Sequence, residues 1–132
     1  MEIFTHENAV LTYNPETFEL LQSWKGYVPT ELFRQVIDAT VSHVRKNKVL
    51  FLISDTSGQK VVSSSDAEYA ASVMSVMIDN GLKAMAFVIP ENVFTKFSLK
   101  KFSDAGHGDV VAYFDSLADA RKWGELMIAR ER

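Results

Sequence analysis

KVLFLISDTSGQKVVSSSDAEYA, Lys48 to Ala70, joins an apolar run to an amphipathic one through a segment crowded with hydroxyl groups. Val49 to Ile53 is continuously apolar over a length that suits a strand, and such runs belong to interior strands covered on both faces. Between Ser54 and Ser65, six of twelve residues are serine or threonine. Ser65-Asp66-Ala67-Glu68 has the Ser-x-x-Glu form of a capping box, which predicts a helix with Ser65 as its cap. Ala67, Ala70, Met74, Met77 and Ile78 line one side of that helix, and Asn80-Gly81 stops it. Strand followed by helix is the repeating unit of an α/β fold.

The same alternation extends in both directions. Upstream, Val10 to Tyr13 and a strand from Phe18 flank Asn14-Pro15-Glu16-Thr17, whose proline presets a turn. Phe18, Leu20, Gln22 and Trp24 share one face of the return strand, and Gly26 ends it. Thr30 is placed to cap a first helix carrying Leu32, Phe33, Val36, Ile37, Thr40, Val41 and Val44 as one stripe. Arg45, Lys46 and Lys48 fall at its end, where the helix dipole favours cations. Downstream, KAMAFVI reads as a buried strand, Val93 to Ala105 as a third helix capped by Asn92, and DVVAYFD as a last strand. Ser116-x-x-Asp119 resembles a cap for a final helix holding Leu117, Ala120, Trp123, Met127 and Ile128. The predicted order is β-β-α-β-α-β-α-β-α: one α/β domain over residues 1–132, with a single mixed sheet of about five strands and four helices.

Composition narrows the function classes. The 132 residues are 47% hydrophobic and 23% charged, enough to build one core without staples. A net charge of −3 argues against a general nucleic-acid binder, which needs a basic surface. Cysteine is absent, which removes disulfides and thiolate sites and suits a reducing cytosol. MEIFTHENAV carries no signal-peptide pattern, and the apolar runs are too short to span a bilayer. The expectation is a soluble, cytoplasmic protein.

Catalytic patterns are thin. No nucleophile elbow, P-loop or paired-histidine zinc motif occurs, and His6, His43 and His107 lie in separate elements. Gly106-His107-Gly108-Asp109 precedes a strand, whereas a phosphate cradle needs a helix behind its glycines. Asp55 ends a central strand, a usual place for functional groups in open α/β sheets. Its hydroxylated neighbours Thr56 and Ser57 suit a turn-forming aspartate better than a metal ligand. Lys96, Lys100 and Lys101 interleave with Phe94, Phe97 and Phe102, which reads as an aromatic stripe with a solvated basic back. No metal site and no cofactor are expected, and the chain is not expected to be an enzyme.

The corner itself resembles a known family. A strand, Asp55-Thr56-Ser57-Gly58, a short link and paired serines opening a helix are similar to the STAS domain of anti-sigma-factor antagonists. On that alignment the pair falls on Ser64 and Ser65, with Ser63 where the family commonly carries aspartate. The resemblance implies a STAS-like fold and makes Ser64 the phosphate acceptor for a partner kinase. AYFDSLADARKW near the end is similar to a STAS-like subset related to the CRAL-TRIO lipid-transfer fold. Asp66-Ala67-Glu68 departs from the family's Gly-Leu-Gly and would set acids beside a phosphate.

Ser65 suffices as a cap, and Ser63 and Ser64 are then surplus to it. The expected function is a non-enzymatic regulatory or protein-interaction domain. Asp55, Ser57, Ser63, Ser64 and Ser65 form its contact corner, with Val73 and Val76 as apolar contacts on the following helix. Its partner would be another protein or a second copy of the chain. The alternative is a carrier whose Met74, Met77, Met85, Phe94 and Phe97 line a cavity for an apolar small molecule or lipid. An enzyme reading would need a base near Ser57 or Ser64, for which His107 is the histidine to test.

Overall fold

A computed structural model describes residues 1–60, 63–89 and 110–129. Six strands form one sheet in sequence order: β1 (Glu2–His6), β2 (Ala9–Asn14), β3 (Glu19–Gly26), β4 (Phe51–Gln59), β5 (Ala84–Val88) and β6 (Val111–Phe114). The first three pair antiparallel, and β3 to β6 run parallel. Helices α1 (Thr30–Lys46), α2 (Ser64–Ser72), α3 (Met74–Asp79) and α4 (Leu117–Ile128) complete the described elements. The predicted helix Val93–Ala105, with its lysines and phenylalanines, and His107 lie outside the described residues.

The mixed α/β sheet was predicted; two details of the count differ. β1 makes six strands rather than about five, and the single helix expected from Asp66 to Asp79 behind a Ser65 cap is divided at Val73. The Ser72 hydroxyl donates to the Tyr69 carbonyl at 2.6 Å, competing with the helical ladder where β-branched Val73 follows.

Alternation along the central strands builds two cores. Leu52, Met85 and Phe87 pack with the buried faces of α1, α2 and α3. Phe51, Ile53, Ala84, Ala86 and Val88 point the other way, against Ala120 and Ile128 of α4. β4 and β5 are thus covered on both faces, as their unbroken apolar runs require. Gly124 lets α4 lie directly on Phe51: a Cβ there would stand 1.9 Å from the phenyl ring.

The strand after Ile53 does not turn where Thr56 and Ser57 were expected to bend it. β4 continues to Gln59 through a bulge, with Asp55 opposite Ser23 and Gly58 opposite Lys25, so that Trp24 alone faces Thr56 and Ser57. The extra residue shifts the phase of the strand and turns Gln59 into the helix-covered side, where it is 4% exposed. Gln22, Trp24, Ser54, Thr56 and Gln59 surround a chamber of about 20 Å³ together with Phe33, Ile37 and Met85. Trp24 donates to the Ser54 hydroxyl at 2.9 Å and Thr56 to the Val88 carbonyl at 2.8 Å. These bonds satisfy polar groups inside an otherwise apolar core.

Candidate functional site

Because β3 and β4 are parallel, their C-terminal ends share one edge of the sheet, and α1 and α2 both begin there. Gly26 leaves β3 with φ +66°, a left-handed conformation that glycine adopts without strain. Its carbonyl accepts from the Lys60 amide at 3.1 Å, which ties the ends of the two strands together. The hydroxyl-rich corner lies at this edge.

Its capping differs from both sequence expectations. Ser63, not Ser65, is the N-cap of α2: its backbone is extended, and its Oγ accepts from the Asp66 amide at 3.1 Å. Ser65 sits inside the first turn with its hydroxyl 3.4 Å from that of Ser63. Thr30 does not cap α1; Pro29 holds that position without a side-chain bond, and Thr30 is the first helical residue. The Thr30 hydroxyl instead donates to Asp66 Oδ2 at 3.3 Å, joining the first turns of α1 and α2. Asp66 is 4% exposed, and its Oδ1 has no hydrogen-bond partner among the described residues.

Ser64 stands apart from its neighbours. It occupies the first helical position, is exposed, and its hydroxyl makes no hydrogen bond with any described residue. Residues two apart on a helix do not face each other, so the inward carboxylate of Asp66 is directed away from Ser64. Glu68, one turn on, shares the Ser64 face. On the strand side of the corner, the Ser57 amide and hydroxyl both donate to Asp55 Oδ1, at 3.1 and 2.6 Å. This is the local aspartate–backbone bond expected of Asp55, made within the bulge. Among the described residues no hydrogen bond joins Asp55 and Ser57 to the serine triplet.

Tyr27 is a feature of this edge that sequence reading passed over. It follows Gly26 directly and is 68% exposed, a large aromatic at the start of the loop into α1. Nothing in its spacing separated it from the buried aromatics; the glycine before it was the available signal.

The other candidates are placed as follows. Val73 and Val76 are half-buried, and Met74 and Met77 belong to the core. Met85 borders the 20 Å³ chamber, a space for one water rather than an apolar ligand; Phe94 and Phe97 lie outside the described residues. His6 accepts the Asn8 amide at 3.1 Å and His43 packs edge-on against Tyr13, so neither contacts the corner. No group of three histidine, aspartate or glutamate side chains that could hold a metal occurs among the described residues. No helix among them is long and apolar enough to cross a membrane.

The architecture matches solved structures. The anti-sigma factor antagonist SpoIIAA in its unphosphorylated form superposes with a TM-score of 0.65 at 12% identity, over 87% of this chain and 94% of that one. An uncharacterized DUF3478 protein with a SpoIIAA-like fold, from Shewanella loihica PV-4, gives 0.57 at 12% identity, covering 91% and 98%. The fold is STAS-like. SLC26A9 contains a similar region: 97% of this chain matches 25% of that one, with a TM-score of 0.60 and 17% identity. No family model and no curated protein sequence matches the chain. At these identities the STAS-like likeness is one of fold, and the chemistry of the corner rests on the residues described above.

Proposed function

We propose that this STAS-like domain is a non-enzymatic regulatory module that binds a protein partner through the edge where α1 and α2 begin, and that phosphorylation of Ser64 switches the contact. The observation that carries this reading is the exposed, uncommitted hydroxyl of Ser64 beside two serines that are engaged with each other and with the helix end. A kinase can take Ser64 without dismantling the cap on Ser63.

The electrostatics suit a switch read by a partner rather than one that refolds the domain. A phosphate in the first turn gains from the helix dipole, by about 0.3–1 kcal/mol. Glu68 on the same face subtracts about 0.2–0.5 kcal/mol. The fold is left nearly indifferent, while the surface gains close to two negative charges. Tyr27 supplies an exposed aromatic anchor at the same edge, of the kind that dominates protein interfaces.

The test is phosphopeptide mapping of the protein isolated from its native host under several growth conditions. Phosphate on Ser64, lost in Ser64→Ala, is the expected result. Phosphate confined to Ser63 or Ser65, or unmodified protein throughout, would remove the switch from the reading.

A further inference from the structure

The seam between α1 and α2 is bridged over its first turns and open beyond them. Thr30 reaches Asp66, the Arg34 guanidinium lies 4.6 Å from the centre of the Tyr69 ring, and the Tyr69 hydroxyl donates to the Asp38 carboxylate. These contacts step down α1 every fourth residue, which keeps them on one face. They stop where α2 does. At Val73, where α2 gives way to α3, a surface groove of about 490 Å³ opens, lined by Asp38, Val41, Ser42, Arg45, Lys46 and Val73.

The floor and rim of this groove differ in character. Val41 and Val73 are half-buried and packed on the core, so each offers an apolar face without being free to collapse. Arg45 and Lys46 are exposed, and neither forms an ion pair with a described residue. The single acid, Asp38, is engaged by Tyr69. On a chain of net charge −3, the rim is locally basic. Cations in the last turn also offset the α1 dipole, but that role needs no apolar floor beside them.

We propose that the groove docks an acidic segment of a partner protein, with one apolar side chain seated between Val41 and Val73 and carboxylates facing Arg45 and Lys46. The pairing follows from charge complementarity around an apolar centre, the arrangement that sets register and specificity at protein contacts. The site lies in the C-terminal half of α1, away from the Ser64 corner, and does not depend on phosphorylation.

The probe is a synthetic peptide, Glu-Glu-Leu-Glu-Glu-Leu, titrated into the isotope-labelled full chain while amide shifts are followed by NMR. Expected are shifts at Val41, Ser42, Arg45, Lys46 and Val73, saturating with a Kd on the order of 1 mM or tighter. Affinity should fall about tenfold in Arg45→Glu/Lys46→Glu, and should weaken with added salt. A peptide with serine in place of leucine should bind more weakly, a control that leaves the protein untouched. The proposal is overturned by an absence of shifts, or by equal binding of the lysine-for-glutamate peptide. Shifts centred on Ser63 to Ser65 would also overturn it, as would groove shifts produced only by phosphatidylserine vesicles, which would mark a lipid-facing surface.

Discussion

Three consecutive serines stand in three different surroundings, and substitution separates them. Ser63→Ala removes the acceptor for the Asp66 amide and should cost about 1 kcal/mol, read as a lower urea midpoint. Ser64→Ala should stay within about 0.5 kcal/mol of the parent, because its hydroxyl holds nothing among the described residues. Equal losses at the two positions would contradict the assignment of the cap. His43 supplies a second test at this scale. Its Nε2 is buried without a partner among the described residues, and burial lowers the ring's pKa below the usual value near 6.5. The folded state therefore favours the neutral ring, and the unfolded chain takes up the proton first as pH falls. Stability from this group is complete above about pH 6.5 and is lost as pH falls from there through the folded pKa. His43→Gln should flatten that segment of the stability–pH curve; an unchanged slope would assign it to other groups.

Among the elements, α4 depends on the smallest side chain in its face. A Cβ at position 124 would fall 1.9–2.4 Å from three atoms of the Phe51 ring, so Gly124→Ala forces the helix or the ring to move. The overpacking cost of about 1–3 kcal/mol should exceed the gain of up to about 1 kcal/mol in helix propensity. In Phe51→Leu the same glycine substitution should be much milder, a non-additivity that a double-mutant cycle reads directly. The elements also show where sequence carries information and where it stops. The apolar runs of β4 and β5, the Leu20–Gln22–Trp24 face and the Ser116 cap were legible because each is set by local periodicity or by one side chain; Phe18, expected to start that face, instead precedes β3 at φ +60° and packs in the opposite core. β1 was not, since EIFTH at a sheet edge buries little and alternates weakly. The α2 cap was ambiguous in principle: Ser63-x-x-Asp66 and Ser65-x-x-Glu68 fit the same pattern, and the path of the chain from β4 decides between them. Thr30 lost its expected role to a partner 36 residues away, which no local rule can supply. That the hydroxyl-rich segment joins a strand to a helix was legible, but which of its hydroxyls makes no bond with a described residue emerged only in three dimensions.

At the scale of the whole sheet, its two sides are unequally covered by the described residues. Among the described residues, one side is covered by α1, α2 and α3, which bury large side chains such as Phe33, Ile37 and Met74, and the other by α4, seated through Ala120, Gly124 and Ile128. Leu126 and Met127 of α4 point outward, and its Arg121 donates to Glu19 of β3 through three hydrogen bonds of 3.1–3.3 Å at the surface. An exposed pair of this kind is worth at most about 1 kcal/mol. Native-state hydrogen exchange should therefore find α4 opening at lower free energy than β3 to β5; equal protection would mean that both layers unfold as one unit. The bulge opposite Trp24 sets a different kind of limit on the molecule. Side chains alternate along β4, so the residue added there acts like a frame shift whose effect runs on to the strand's end. Flattening the bulge with every residue kept would turn Gln59 outward and Lys60 inward, driving an ammonium toward the apolar core, whereas loss of Ser57 itself would leave Gln59 opposite Gly26 and facing inward. The bulge is thus where the strand keeps a spare residue: descendants of this sequence can shed it without exchanging the strand's two faces, but cannot iron the strand flat while keeping it.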